Sequence, residues 1–232
     1  MIAQEQVVLD EADGRQFEAY LARLDHGTGP GLLILSEMFG LNGPMREVAQ
    51  AYAARGYCVL VPNVFWRCEP DKALAYEGPE RATAWARLHT FDFDRASADL
   101  KIATDWLRRS PHGNGKVGAL GFCMGGRLAF LAATRAKVDA AISLYGLGLT
   151  SHLDEIGEAT GRVQLHYGME DLHISAAEIE TVRAALEHHP RVRVYLYPGA
   201  GHSFFNPVRP TYDAEAAALA ARRIEDALSD LA

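Results

Sequence analysis

The stretch Lys116-Val-Gly-Ala-Leu-Gly-Phe-Cys-Met-Gly-Gly126 constrains this chain more than any other. Val117 to Phe122 is a short apolar run, and Arg127-Leu-Ala-Phe-Leu-Ala-Ala133 favours helix, so the segment reads as strand, sharp turn, helix. Glycines stand two residues before and two after Cys123. Such a turn strains the backbone of its central residue, and a Cβ at either flanking position would collide with the neighbouring strand or helix. The central side chain is thereby held above the edge of a sheet. Cys123 also stands at the start of the predicted helix, where unpaired N–H groups and the helix dipole favour a thiolate. A buried cysteine is more often inert packing, so the decision rests on partners elsewhere in the chain.

Around this turn, strands alternate with helices. Short runs at 32–35, 57–61, 140–144, 163–167 and 192–197 are apolar enough for strands buried on both faces. Segments 6–10 and 16–24 read as an opening hairpin turning at Asp13-Gly14, with Phe17, Ala19 and Leu21 alternating against Glu18, Tyr20 and Ala22. Helices are expected over 44–55, 79–88, 91–109, 176–188 and 212–231, the third with a stripe of Ala98, Ile102 and Trp106. Residues 63–90, holding Pro70 and Pro79, read as an excursion above the sheet. The pattern predicts α/β architecture: one domain over 1–232, a mostly parallel central sheet flanked by helices, and no separate lid domain.

The net charge of −7 argues against nucleic acid or an anionic membrane surface as partner, though one or two local arginines suffice for a small anion. Neither an 18-residue apolar run nor a secretory leader is evident, so the expected location is cytoplasmic. Cys58, Cys68 and Cys123 are not spaced as a zinc site, and three cannot all pair. A reduced compartment suits a free reactive thiol.

Glu37, Cys123, Asp171 and His202 each follow the carboxyl end of a predicted strand, and in an open parallel sheet those ends share one edge, where ligands bind. A thiol attacks a carbonyl when an imidazole oriented by a carboxylate assists it, and nucleophile, acid and histidine occur here in the order Cys123, Asp171, His202. Glu170, Asp154 and Glu155 compete for the acid role; Asp171 is preferred because it lies in a turn directly beyond a strand. The backbone N–H groups of Met124, next after the nucleophile, and Met38, in the loop after an earlier strand, are the expected oxyanion hole.

Glu37-Met-Phe-Gly40, Arg55-Gly-Tyr57, Leu60-Val-Pro62, Gly121-Phe-Cys-Met-Gly-Gly126, Tyr145-Gly146, Asp171 and Gly201-His-Ser-Phe204 together resemble the dienelactone hydrolase family, cysteine-dependent members of the α/β-hydrolase fold. The resemblance implies a triad of Cys123, His202 and Asp171 that opens the ring ester of a dienelactone to maleylacetate, in bacterial breakdown of chloroaromatic catechols. It implies no metal and no cofactor. Glu37 matches an additional carboxylate that holds the resting thiol and takes its proton. Arg81 matches one of two arginines that bind the lactone's carboxylate; the second position is Asn206, which carries no charge. Trp85 and Leu88 replace other aromatic residues at the substrate pocket. Arg209, three residues past Asn206, is restrained by Pro207 and Pro210. The expected partner is a small lactone or ester, and the expected assembly a monomer or weak homodimer. Rival readings are an esterase for other lactones or small esters, with an altered pocket, and a thiol redox or binding protein without turnover.

Overall fold

A run such as Leu32-Leu-Ile-Leu35 has no polar face to offer water, and all four residues are fully buried. The computed structural model describes residues 1–10, 14–68, 70 and 72–232. Its strands are β1 (Ile2–Asp10), β2 (Gln16–Leu24), β3 (Gly29–Leu35), β4 (Cys58–Pro62), β5 (Gly113–Phe122), β6 (Ala140–Leu144), β7 (Arg162–Gly168) and β8 (Val192–Tyr197). They form one sheet in the order β1-β2-β4-β3-β5-β6-β7-β8. The pairs β1/β2 and β2/β4 are antiparallel and the others parallel. This is the α/β-hydrolase fold. The order reverses at β3, which has β4 on one side and β5 on the other, and that switch point opens a crevice at the carboxyl ends of β3 and β5.

The helices are α1 (Gly43–Ala54), α2 (Pro79–His89), α3 (Phe93–Arg109), α4 (Met124–Leu131), α5 (Ala176–Leu186) and α6 (Ala214–Ser229). Asn42, Asp92, Ser175 and Asp213 cap α1, α3, α5 and α6 by accepting backbone N–H bonds in the first turn. Asp92 and Asp213 start α3 and α6 two residues later than the apolar periodicity suggests. The expected stripe of α3 is also rotated. Ala96, Leu100, Ala103 and Leu107 are buried, whereas Ala98 is exposed and Ile102 and Trp106 are half-buried. Small residues are needed where the helix lies close to the sheet: a Cβ on Gly31 of β3 would come within 3.2 Å of the Leu107 side chain.

On β2 the alternation of Phe17 and Glu18 gives way to burial of every residue from Ala19 to Ala22, where α1 packs against the strand. The turn expected at Asp13-Gly14 lies partly outside the described residues. The described residues of 63–78 form neither helix nor strand on the way from β4 to α2, which sits beside the crevice. No helix among the described residues is long and apolar enough to cross a membrane.

Candidate active site

Cys123 has φ 58° and ψ −121°, a strained conformation for a residue with a side chain. It is held by its own N–H, which donates to Leu144 O at 3.0 Å, and by the glycines around it. A Cβ on Gly121 would lie 1.8 Å from Gly125 O, and one on Gly125 would lie 2.1 Å from Leu35 O. The turn therefore packs backbone to backbone against the end of β3. Helix α4 starts at Met124 without a side-chain cap, and the Gly126 N–H closes onto Cys123 O at 2.8 Å.

His202, in the glycine-rich loop after β8, places Nδ1 2.7 Å from Oδ2 of Asp171, whose side chain is completely buried. Oδ1 of Asp171 accepts the N–H groups of His173 and Ile174 at 2.7 and 3.1 Å. The competing acids are elsewhere engaged or turned outward: Glu155 pairs with Arg135 and His152, while Asp154 and Glu170 are exposed. Burial opposes charge on the His202 ring, but attraction to Cys123 and the hydrogen bond to Asp171 outweigh it, pushing the imidazole up to about 10. Thr211 Oγ1 donates to His202 O and ties the loop down.

Glu37 is buried beside this pair, and Ser203 Oγ donates to its Oε1 at 3.3 Å, while Oε2 has no hydrogen-bond partner among the described residues. Burial holds its carboxyl above the usual range, against the pull of Arg209 and His202. Among the described residues, neither the Met38 N–H nor the Met124 N–H has an acceptor, while both side chains are packed away. The Met38 turn is braced from three directions: Gly40 N–H donates to Glu37 O (3.0 Å), Leu74 N–H to Phe39 O (2.8 Å) and Arg87 Nη2 to Met38 O (2.5 Å).

Cys123, Glu37, Met38 and His202 line a small cleft whose more open members are Arg81, Trp85, His173 and Arg209. Asn206 does not line it. Asn206 is buried, its Nδ2 donates to Tyr76 Oη at 3.0 Å, and its Oδ1 accepts the N–H of Val208. Arg209 reaches the cleft despite the flanking prolines, because its N–H closes a turn onto Asn206 O at 3.0 Å. The guanidinium lies 4.8 Å from the ring of Tyr76, and its buried Nε has no hydrogen-bond partner among the described residues. His173 and Tyr76 carry no expectation from the sequence, and Tyr145 and Ser203 enter it only as parts of the motifs that carry the resemblance. The ring of His173 lies edge-on to His202 with centroids 4.8 Å apart and 5.4 Å from Trp85. Its one sequence signal is its place two residues past Asp171. Tyr145, fully buried at φ 42°, packs 5.0 Å from the His202 ring.

The chain is 33% identical over 228 residues to the carboxymethylenebutenolidase of Pseudomonas putida, covering 98% of this chain and 97% of that protein. It is 31% identical to carboxymethylenebutenolidase 1 of Cupriavidus pinatubonensis, covering 97% and 96%. In fold it is similar to the dienelactone hydrolase-like promiscuous phosphotriesterase P91 from metagenomic libraries, with a TM-score of 0.81, 23% identity and coverage of 99% and 98%. The family model of the dienelactone hydrolase family matches residues 17–231. With that match over nearly its whole length and a third of its residues shared with a carboxymethylenebutenolidase, this carboxylic ester hydrolase belongs to the dienelactone hydrolase family.

Proposed function

We propose that the protein opens lactones of the dienelactone type through an acyl-enzyme on Cys123, with His202 and Asp171 as its acid–base pair. The observation that carries this reading is that His202, with Nδ1 2.7 Å from Oδ2 of Asp171, shares one cleft with Cys123, and that Cys123 and Asp171 together strengthen the imidazole's hold on its proton against burial. The Cys123 thiolate attacks the lactone carbonyl, and the C=O electron pair moves onto oxygen, facing the N–H groups of Met38 and Met124. Collapse of this adduct breaks the ring C–O bond, leaves a thioester on Cys123, and passes the proton of His202 to the departing oxygen. His202, now neutral, takes a proton from water; the hydroxide attacks the thioester carbonyl, the C–S bond breaks to return the thiolate, and the carboxylic acid so formed loses its proton to solvent as the product leaves. Glu37, buried and inclined to hold a proton, accepts the proton of a resting thiol.

Arg81 on α2 and Arg209 beyond His202 line the same cleft, so a substrate carboxylate meets two guanidinium groups although Asn206 replaces an arginine. The preference of Asn206 for Tyr76 also supports a second reading, in which neutral lactones and small esters are turned over as well. Incubation with an activated aryl ester followed by mass spectrometry tests the covalent step. One acyl group on Cys123 in the wild type, and neither adduct nor turnover in Cys123→Ala, is expected. Turnover by the Ala variant within tenfold of wild type would end the covalent mechanism.

A further inference from the structure

We infer that Arg87 is a positioning residue for the oxyanion hole, an inference that rests on the assignment of the Met38 and Met124 N–H groups to that hole. Arg87 lies on α2 yet is 3% exposed, well inside the protein for a cation. Its Nη1 donates to Pro70 O at 2.9 Å and Lys72 O at 2.8 Å, its Nη2 donates to Met38 O at 2.5 Å, and the guanidinium lies 3.6 Å from the centre of the Phe65 ring. One planar fork thus joins Pro70 and Lys72 to the Met38 turn. A lysine cannot reproduce this, since its three donors radiate from a single atom.

The consequence for Met38 follows from peptide geometry. The Met38 N–H belongs to the Glu37–Met38 peptide, and in a trans peptide the C=O and N–H point opposite ways. Gly40 holds the Glu37 C=O, so the Met38 N–H faces away from Gly40. Arg87 holds the C=O of the following peptide. With the peptide planes on both sides fixed, the φ and ψ of Met38 are fixed, and its N–H is aimed before substrate arrives. Gly40 closes the turn at φ 72°, where a side chain is disfavoured. A donor pre-aimed at the developing oxygen charge accelerates the chemical step with little effect on ground-state binding.

The test compares wild type, Arg87→Met and Arg87→Lys on a neutral aryl ester, with two probes of Cys123. One is an aldehyde analogue of the substrate, which forms a hemithioacetal whose oxygen occupies the hole; the other is iodoacetamide, which reports the thiolate without needing the hole. Arg87→Met is expected to lower kcat by about 10- to 100-fold with KM changed less than about threefold. Aldehyde affinity should fall by the same factor, and the alkylation rate should stay within about twofold. Arg87→Lys should fall between wild type and Met, and it decides the matter should the Met variant not fold. Unchanged kcat in a folded variant overturns the proposal, as does alkylation slowed in parallel with kcat, which would mark Arg87 as a brace for the whole cleft. If the aldehyde binds the wild type no tighter than the matching alcohol, the hole itself is misassigned, and the role of Arg87 falls with it.

Discussion

Oδ2 of Asp171 lies 2.7 Å from Nδ1 of His202, while Oδ1 of the same carboxylate accepts the backbone of His173 and Ile174. One side chain therefore both orients the imidazole and shapes the loop beside it. Asn in its place still accepts the two backbone donors but offers His202 no charge. We expect Asp171→Asn to lose roughly two to four orders of magnitude in kcat/KM on any ester, with a thermal midpoint close to wild type. A large fall in the midpoint would mean that the loop, not the imidazole, is what Asp171 serves.

Glu37→Gln separates stability from ionisation of the thiol. The folded pKa of Glu37 is raised by burial above its unfolded value, so stability is lost as pH rises from the ordinary carboxylate value through the raised one. Gln removes that loss. The variant should melt higher than wild type near neutral pH, converge with it in acid, and acylate more slowly in stopped-flow measurements. Acylation at the wild-type rate would rule Glu37 out as the proton acceptor.

The two arginines of the cleft predict a split by substrate charge. Replacing Arg209 or Arg81 with Gln should raise KM for a carboxylate-bearing lactone about tenfold or more, and change KM for a neutral aryl ester little. Asn206→Arg should instead destabilise the protein, because that side chain is buried and its amide is engaged by Tyr76. If Arg209→Gln leaves the ratio of the two KM values unchanged, the carboxylate is recognised elsewhere.

A second histidine governs behaviour in acid. His166 is fully buried, its Nδ1 2.7 Å from Tyr197 Oη and its Nε2 3.1 Å from Gln164 Oε1, and burial together with Arg223 pulls its pKa down to about 3. Between about pH 6.5 and 3 the unfolded chain binds a proton here that the native state does not, so stability falls as pH falls. Urea titrations across that range should show about 1.4 kcal/mol less steepness per pH unit in His166→Gln than in wild type. Equal slopes would contradict a neutral His166 in the native state.

Much of this site was legible in the sequence because strand ends are. Buried parallel strands announce themselves as apolar runs, and the residues just past them, Glu37, Cys123, Asp171 and His202, meet at one sheet edge whatever their separation. Sequence is silent where a single long-range hydrogen bond decides which way a side chain turns. Asn206 is drawn from the cleft by Tyr76, 130 residues away, and the resulting turn presents Arg209 in its stead. Arg87 looks like any arginine on a helix until the loops it bridges are folded around it. In α3, the large side chains of Ile102 and Trp106 misled, since close approach to the sheet selects alanine and leucine instead. Asp92 and Asp213 were readable caps that would have corrected two helix starts.

The segment between β4 and α3 brings Arg81 and Trp85 to the cleft and also carries Arg87, whose hydrogen bond ends on Met38. Transplanting such a segment from a relative is an obvious way to redirect the enzyme toward a different ester. A chimera made in that way inherits the donor's selectivity but keeps its own Met38 turn, now without its tether unless the graft supplies an arginine at the same place. The grafted enzyme should then recognise its new ester and yet turn it over sluggishly, and restoring this one residue, which does not itself line the cleft, is the repair to try first.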